Sequence, residues 1–250
     1  MARSGYELTF FEHLDELRKR IIISLIAVFL GSIAGYVYSD RLLRILLRPM
    51  ELGQNPVYFF SPSEAFIVKL KVAMFTGLFL ASPVVLNQIW RFVSPAFQKR
   101  EKRAVSVVTL ITSFLFLSGI FFCYYAVVPV AIRFLMSLQT DFLKPMISVT
   151  HYVDFLFGML LAFGVAFNLP VFVIALALTG VLNIQTLKHF HRHAIVLIFI
   201  LAAILTPSPD IASQILLAVP LLALFELSVL GVFFVDRRRK LQSLSTKASA

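Results

Sequence analysis

The sequence has few acidic residues and almost no cysteine. Only 13 of its 250 residues are Asp or Glu, against 23 Lys and Arg, and Cys123 is the single cysteine. One cysteine excludes an intrachain disulfide and a cysteine-built metal site. The HExxH, GxSxG and Walker motifs are absent from the sequence as well. We therefore expect no enzyme, no ATP-driven pump, no metal and no cofactor.

Apolar residues dominate instead. They make up 59% of the chain and include 26 Phe, which is more apolar surface than a soluble core of this size can hide. The Lys and Arg residues cluster at the ends of apolar runs and do not form a stripe with aromatic residues. This pattern argues against nucleic acid and favours a membrane protein in contact with lipid headgroups.

Six apolar runs predict six membrane spans. They lie near Ile21–Tyr38, Val72–Trp90, Ala104–Val128, Val153–Leu178, Ala194–Thr206 and Ile211–Val235. An even number of spans puts both termini on one side, and the segments on that side hold 16 of the 23 Lys and Arg. Because positive charge marks the cytoplasm, we predict an all-α polytopic protein with both termini cytoplasmic. Residues 1–250 would form one membrane domain, with 20 amino-terminal and about 15 carboxy-terminal residues in the cytoplasm.

The fifth run is short. Ala194–Thr206 gives about 20 Å of helix, against roughly 30 Å of hydrocarbon. The helix must borrow flanking residues, or the bilayer must thin around it. The sequence TPSPD at residues 206–210 then predicts a tight outer turn, so spans five and six should form an antiparallel hairpin.

The long outer segment after the first span contains DRLLRILLRP, with Arg41, Arg44 and Arg48 at helical spacing among leucines. This pattern predicts an amphipathic helix on the outer surface that caps the bundle and ends at Pro49.

Polar residues inside the spans leave alternatives open. Asn168 precedes Pro170 by two residues, so it could bind the carbonyl that the proline frees, or contact a partner helix. Glu226 lies deep in the sixth span, where a carboxylate is either a functional site or a hydrogen-bonded helix contact. Asp210 lies in the outer turn.

Acidic residues are crowded before the first span. If this segment is helical, Asp15 faces Lys19 and Glu16 faces Arg20 at i,i+4 spacing, which is the simplest interpretation. Such exposed pairs contribute only about 0.3 to 0.5 kcal/mol each. Glu101 repeats the pattern as the one acid in the basic loop QKREKR. A lone carboxylate there is either a solvated charge or a receptor for a cationic ligand.

Five separated motifs carry a resemblance to a known family. They are EHLDELRKR at residues 12–20, SPSEAF at 61–66, ASPVVLNQIWRFVSPAF at 81–97, AFGVAFNLPV at 162–171 and LTPSPDIASQILLAVPLLALFE at 205–226. Over about Thr9 to Asp236 the chain resembles TatC, the multispanning receptor subunit of the twin-arginine protein translocase.

The resemblance implies a curved, glove-like bundle in the inner membrane of a prokaryote. It implies that Glu16 and Glu101 receive the paired arginines of a twin-arginine signal peptide, and that Arg18, Phe92 and Phe97 shape that surface. Expected partners are folded precursors, the single-span subunits TatA and TatB, and further copies of the chain. Transport would be driven by the proton-motive force.

The physical chemistry of such a site is consistent with arginine selectivity. A carboxylate accepts the planar guanidinium fork bidentately, whereas lysine is a point charge. Two charge-assisted sites contribute about 3 to 6 kcal/mol, which gives millimolar binding or little better. The apolar segment of the signal must therefore also be buried against the spans.

The resemblance also implies that Asn168, Asp210 and Glu226 make partner or intramembrane contacts, and that the short hairpin docks TatA and TatB. The family commonly carries glutamate at the position of Asn168. Asparagine forms hydrogen bonds but does not titrate. Asn168 can therefore still make a polar contact with a partner helix, but it cannot bind and release a proton as a glutamate would.

The main rival function is a secondary transporter of a small solute or ion, which the prolines inside the spans and Glu226 suggest. Such a transporter predicts internal symmetry and convergent polar groups at the midplane, and the sequence shows little of either.

Overall fold

The structure is a computed structural model that describes residues 10–52, 57–93, 102–137, 146–179, 184–205 and 211–248. These residues are almost entirely helical. The helices are α1 (Phe10–Val37), α2 (Ser39–Leu52), α3 (Pro62–Val93), α4 (Lys102–Phe122), α5 (Val128–Ser137), α6 (Val149–Thr179), α7 (Ile184–Leu205) and α8 (Ile211–Ala248). A π-helical segment, Cys123–Val127, joins α4 to α5 without a break. Two short strands, β1 (Val57–Tyr58) and β2 (Ile147–Ser148), form a parallel pair.

Within the described residues, five helical stretches are long and apolar enough to cross a membrane, and a sixth is shorter. The five are Glu12–Val37, Pro62–Phe92, Ser106–Ser137, Val149–Ala177 and Leu217–Phe234, and the shorter one is His189–Ile204. The predicted spans and the short fifth run are therefore confirmed. The third stretch continues to Ser137, beyond its predicted end, because α5 follows the π-helical segment without a break.

The chain divides into two compact units. The first comprises the chain up to Leu42 together with Lys69–Ser113, and the second comprises Leu43–Val68 and the chain from Phe114 onward.

In the first unit, α1 and α3 approach closely through glycines. A Cβ atom on Gly31 would lie 2.9 Å from the carbonyl oxygen of Gly77, and one on Gly77 would lie 2.6 Å from the Val28 carbonyl oxygen. Small residues permit such close backbone packing in membranes, where van der Waals contact between helices replaces the hydrophobic effect. The glycines thus set the spacing of these two helices.

In the second unit, α6 is the central helix. It carries a fully buried stripe at helical spacing that comprises Val149, Val153, Leu156, Met159 and Phe163. Close contacts with α4 occur at Gly119, where a Cβ atom would lie 2.6 Å from the Phe163 carbonyl oxygen. A small cluster of Ala177, Leu187 and Val232 joins α6, α7 and α8.

Helices α7 and α8 form the predicted antiparallel pair. The Gln214 side chain donates from Nε2 to the carbonyl oxygen of Phe199 at 2.8 Å, and His191 lies 3.4 Å from Glu226. From Gln214 to Glu226 the residue numbers of the contacts increase along α8, whereas those of their partners on α7 decrease from Phe199 to His191. The two helices therefore run antiparallel, as in a hairpin. The predicted TPSPD turn lies outside the described residues.

The prediction that Pro49 ends the amphipathic helix is wrong, since α2 runs through Pro49 to Leu52. A proline cannot donate to the carbonyl four residues earlier, here that of Ile45. The Tyr124 hydroxyl donates to this carbonyl instead, and the Tyr152 hydroxyl donates to the next one, that of Leu46, at 2.8 Å. Side-chain donors therefore satisfy the backbone at this point and let the helix continue.

Two prolines inside the spans, Pro83 and Pro129, are also accommodated without a break in the helix. Helix α3 continues through Pro83, and the Ser82 hydroxyl donates to the freed Phe79 carbonyl at 2.8 Å. Before Pro129, the backbone N–H of Val128 donates to the Cys123 carbonyl, five residues earlier. This π-type bond bypasses the donor that Pro129 lacks.

The β1–β2 pair was not predicted. Each strand is only two residues long, and the two are about ninety positions apart, with Val57 opposite Ile147 and Tyr58 opposite Ser148. Neither segment shows the alternating pattern that indicates a strand from sequence.

Candidate functional site

A stripe of polar residues on α1 faces α3. His13, Glu16, Arg20 and Ser24 recur every three or four residues, so they share one face of the helix. Arg20 donates from its Nη2 atom to Glu16 Oε1 at 2.9 Å, and each side chain is 24% exposed. The i,i+4 pair predicted from sequence is present, and it is considerably more buried than an ordinary surface pair.

Arg20 also binds across to α3. Its Nη1 atom donates to the side-chain oxygen of Gln88 at 3.0 Å, and Gln88 is buried. The two ends of one guanidinium thus contact a carboxylate on α1 and an amide on α3. Within the described residues the buried Nε of Arg20 has no hydrogen-bond partner.

One turn after Gln88 on α3, Phe92 stacks on His13. The ring centroids are 4.5 Å apart and the rings are inclined by 21°. Phe92 therefore belongs to the same helix pair as Glu16. His13 and Gln88 were not identified from the sequence, although both lie inside motifs that carry the family resemblance and His13 has the helical spacing to Glu16 and Arg20.

A cavity of about 360 Å³ lies between α1 and α3 next to this polar cluster. Arg20, Ser24 and Gln88 are its polar lining residues, and the others are apolar, namely Leu17, Ile21, Leu25, Val28, Leu78, Val85, Ile89 and Phe92. Its size and lining suit an apolar side chain. An apolar site thus adjoins a carboxylate that holds a guanidinium.

The end of α3 is tied to α4. The buried indole of Trp90 donates to the Thr112 hydroxyl at 3.1 Å. The segment between these helices carries Phe97 and Glu101, which both lie outside the described residues. Arg18 is exposed and lies two positions from Glu16, so it points to another face of α1.

Asn168 does not bind the carbonyl that Pro170 frees, which is that of Ala166. Its Nδ2 donates to the carbonyl of Gly164 at 3.0 Å, one helical turn back. Its Oδ1 is buried and has no hydrogen-bond partner within the described residues. The first interpretation of Asn168 is therefore wrong, and an unpaired acceptor remains.

Glu226 contacts the histidine-rich start of α7. Its Oε1 lies 3.4 Å from His191 Nε2, a contact that is an ion pair when His191 is protonated, and its side chain is 54% exposed. This geometry supports the helix-contact interpretation. Asp210 lies outside the described residues, and within the described part no group of His, Cys, Asp and Glu could hold a metal ion.

Comparison with known proteins decides the family. The family model of the Sec-independent protein translocase protein (TatC) matches residues 12–220. The TatC of Carboxydothermus hydrogenoformans is 42% identical over 91% of this chain and 94% of its own length, and that of Aquifex aeolicus is 37% identical over 92% and 98%. The chain belongs to the TatC family.

The fold agrees with this family. A crystal structure described as the twin arginine translocase receptor TatC superposes with a TM-score of 0.83 at 35% identity, covering 90% of this chain and all of that one. The chain is thus a multi-pass inner-membrane component of the Sec-independent protein translocase. Membership in the TatC family therefore argues against the alternative function, a secondary transporter of a small solute or ion.

Proposed function

We propose that this TatC protein binds the twin-arginine signal peptide of folded precursors at its cytoplasmic face and nucleates the translocation complex. Glu16 and Glu101 receive the two arginines, and Arg18, Phe92 and Phe97 shape the surrounding surface. The observation that carries the proposal is the bond between Glu16 and a guanidinium at 2.9 Å. A guanidinium fits this carboxylate in the folded protein, at the end of a helix predicted to face the cytoplasm.

Partial burial of Glu16 strengthens its interaction with a bound arginine. With the Glu16 side chain 24% exposed, an arginine bound to it is partly shielded from water, so the interaction exceeds that of a surface pair. The adjoining cavity accepts an apolar side chain of the same peptide. Burial of that apolar side chain adds to the affinity, because the two charge-assisted contacts alone give only millimolar binding or little better.

The partners in this proposal are TatA and TatB, and further copies of the chain. Their single spans dock on the α7–α8 hairpin, whose exposed residues include Val196, Leu197, Ile200 and Ile204. Asn168 and Glu226 provide polar contacts in the second unit, and Asp210 does so in the outer turn. Exported proteins cross the membrane under the proton-motive force.

The test is binding of a labelled twin-arginine signal peptide to the purified protein in detergent, with a twin-lysine peptide as comparison. We expect arginine-selective binding that Glu16→Ala and Glu101→Ala each weaken by about tenfold or more. Asp15→Ala is the matched control, because it removes the same charge from an exposed neighbour of Glu16. Binding that ignores the arginine-to-lysine change, or that survives both glutamate substitutions, would refute the proposal.

A further inference from the structure

Glu16 is already occupied by an arginine of its own chain. Arg20 holds it at 2.9 Å and is itself held by Gln88 at 3.0 Å. A second guanidinium arriving at this carboxylate meets a neutral pair, because the charge of Arg20 cancels that of Glu16. Electrostatic attraction for a signal arginine is therefore small as long as Arg20 keeps its place.

The hydrogen bonds of Arg20 also indicate which ligand fits the site formed by Glu16 and Gln88. The Glu16 carboxylate and the Gln88 side-chain oxygen lie where the two terminal nitrogens of one guanidinium reach both of them. A planar fork with several donors spans two such acceptors, whereas an ammonium on a flexible stem is a single point charge. The Glu16–Gln88 site is therefore built for arginine, and Gln88 adds a requirement that a lysine meets poorly.

Arg20 does not fill this site completely. Its buried Nε donor has no hydrogen-bond partner within the described residues, which disfavours the observed arrangement. An arginine from outside the chain enters without the constraint of an i,i+4 position on α1. Exchange of one guanidinium for another therefore conserves the bonds to Glu16 and Gln88 and releases Arg20 toward solvent.

We propose that one arginine of the signal peptide binds the Glu16–Gln88 site by displacing Arg20, and that Gln88 contributes to arginine selectivity. This inference rests on the proposed function, since it concerns the same signal peptide. Arg20 acts as an internal competitor that raises the threshold for binding, so that a peptide must bring further contacts in order to displace it.

The first test is the Arg20→Gln variant, with binding of the twin-arginine peptide as the readout. Removing the competitor should tighten binding by about tenfold. Lys19→Gln is the matched control, because it removes one positive charge from an exposed position next to Arg20. It should alter twin-arginine and twin-lysine binding equally and only slightly. Tighter binding that is equal in both variants, or that is equal for both peptides, would overturn the displacement.

Gln88 is tested in the Arg20→Gln background, where it no longer holds Arg20. Adding Gln88→Leu there should weaken twin-arginine binding by about tenfold and reduce the preference for arginine over lysine. Unchanged affinity and selectivity would overturn the role of Gln88. If Arg20→Gln does not yield folded protein, Arg20→Lys replaces it, with tightening of a smaller size expected because lysine holds only one acceptor well.

Failure of this inference is distinguishable from failure of the proposed function. If Glu16→Ala abolishes binding while Arg20→Gln weakens it or leaves it unchanged, Glu16 remains the receptor and Arg20 is a positioning residue. If Glu16→Ala itself has no effect, the proposed function fails, and the displacement fails with it.

Discussion

The indole N–H of Trp90 donates to the hydroxyl of Thr112 at 3.1 Å, in a buried contact between α3 and α4. Thr112 and Trp90 are separated along the chain by the segment that carries Phe97 and Glu101. The bond therefore fixes the two helices from which this segment emerges.

Thr112→Val should destabilise the protein. The substitution keeps the shape of the side chain but removes the hydroxyl that accepts the buried Trp90 hydrogen bond, which costs about 1 to 3 kcal/mol. We expect a lower thermal unfolding midpoint for the purified protein in detergent. Thr112→Ser keeps the hydroxyl and should retain most of the stability, so equal loss in both variants would contradict this account.

Tyr124→Phe should destabilise the second unit through the backbone of α2. It removes the donor to the Ile45 carbonyl, which Pro49 leaves without a backbone partner, at a cost of about 1 to 2 kcal/mol. Tyr125→Phe, at the exposed neighbouring position, should have little effect. Both variants are compared by thermal unfolding.

The same reasoning predicts coupling between Tyr124 and Pro49. Pro49→Ala restores a backbone donor to the Ile45 carbonyl, so Tyr124→Phe should cost less in that background. A double-mutant cycle measures this difference. Additive effects would show that the tyrosine does not replace the missing backbone donor.

Gly77→Val should separate α1 from α3. Even a Cβ atom there would lie 2.6 Å from both the Ser32 amide nitrogen and the Val28 carbonyl oxygen, and backbone atoms cannot move aside as side chains do. We expect a loss of about 2 kcal/mol or more and weaker signal-peptide binding, because Glu16 on α1 and Gln88 on α3 move apart and no longer hold one guanidinium between them. Ala34→Val adds bulk at an exposed position of α1 and is the matched control. Wild-type stability and binding of Gly77→Val would contradict the close approach.

Asn168→Leu should leave the isolated protein as stable as wild type, or slightly more so. It removes a buried acceptor that has no partner within the described residues, while the Gly164 carbonyl loses only a side-chain donor. Because the proposed function makes Asn168 a polar contact for a partner helix, the variant should also reduce co-purification of TatA and TatB. Marked destabilisation with unchanged partner recovery would show that Asn168 serves its own chain.

The membrane helices could be predicted from sequence because lipid leaves the backbone no other partner than itself. Apolar runs bounded by charge therefore identified the spans, and the short run before TPSPD indicated the α7–α8 hairpin. The Glu16–Arg20 pair followed from i,i+4 spacing alone. These features depend on neighbours in sequence.

What could not be predicted depends on residues far apart in the chain. Arg20 and Gln88 are 68 positions apart, and no periodicity relates them. Helix α2 continues through Pro49 because Tyr124 supplies a donor from 79 positions beyond Ile45.

The most direct test of the central claim locates the signal peptide on α1 and α3. Phe92→p-benzoylphenylalanine introduces a photo-crosslinker beside His13, and Phe29→p-benzoylphenylalanine places one on an exposed part of α1 within its membrane span as the control. We expect the twin-arginine peptide to crosslink at position 92, to do so far less at position 29, and to lose the crosslink when Glu16 is replaced by Ala. Equal crosslinking at both positions, or equal crosslinking of a twin-lysine peptide at position 92, would contradict the account.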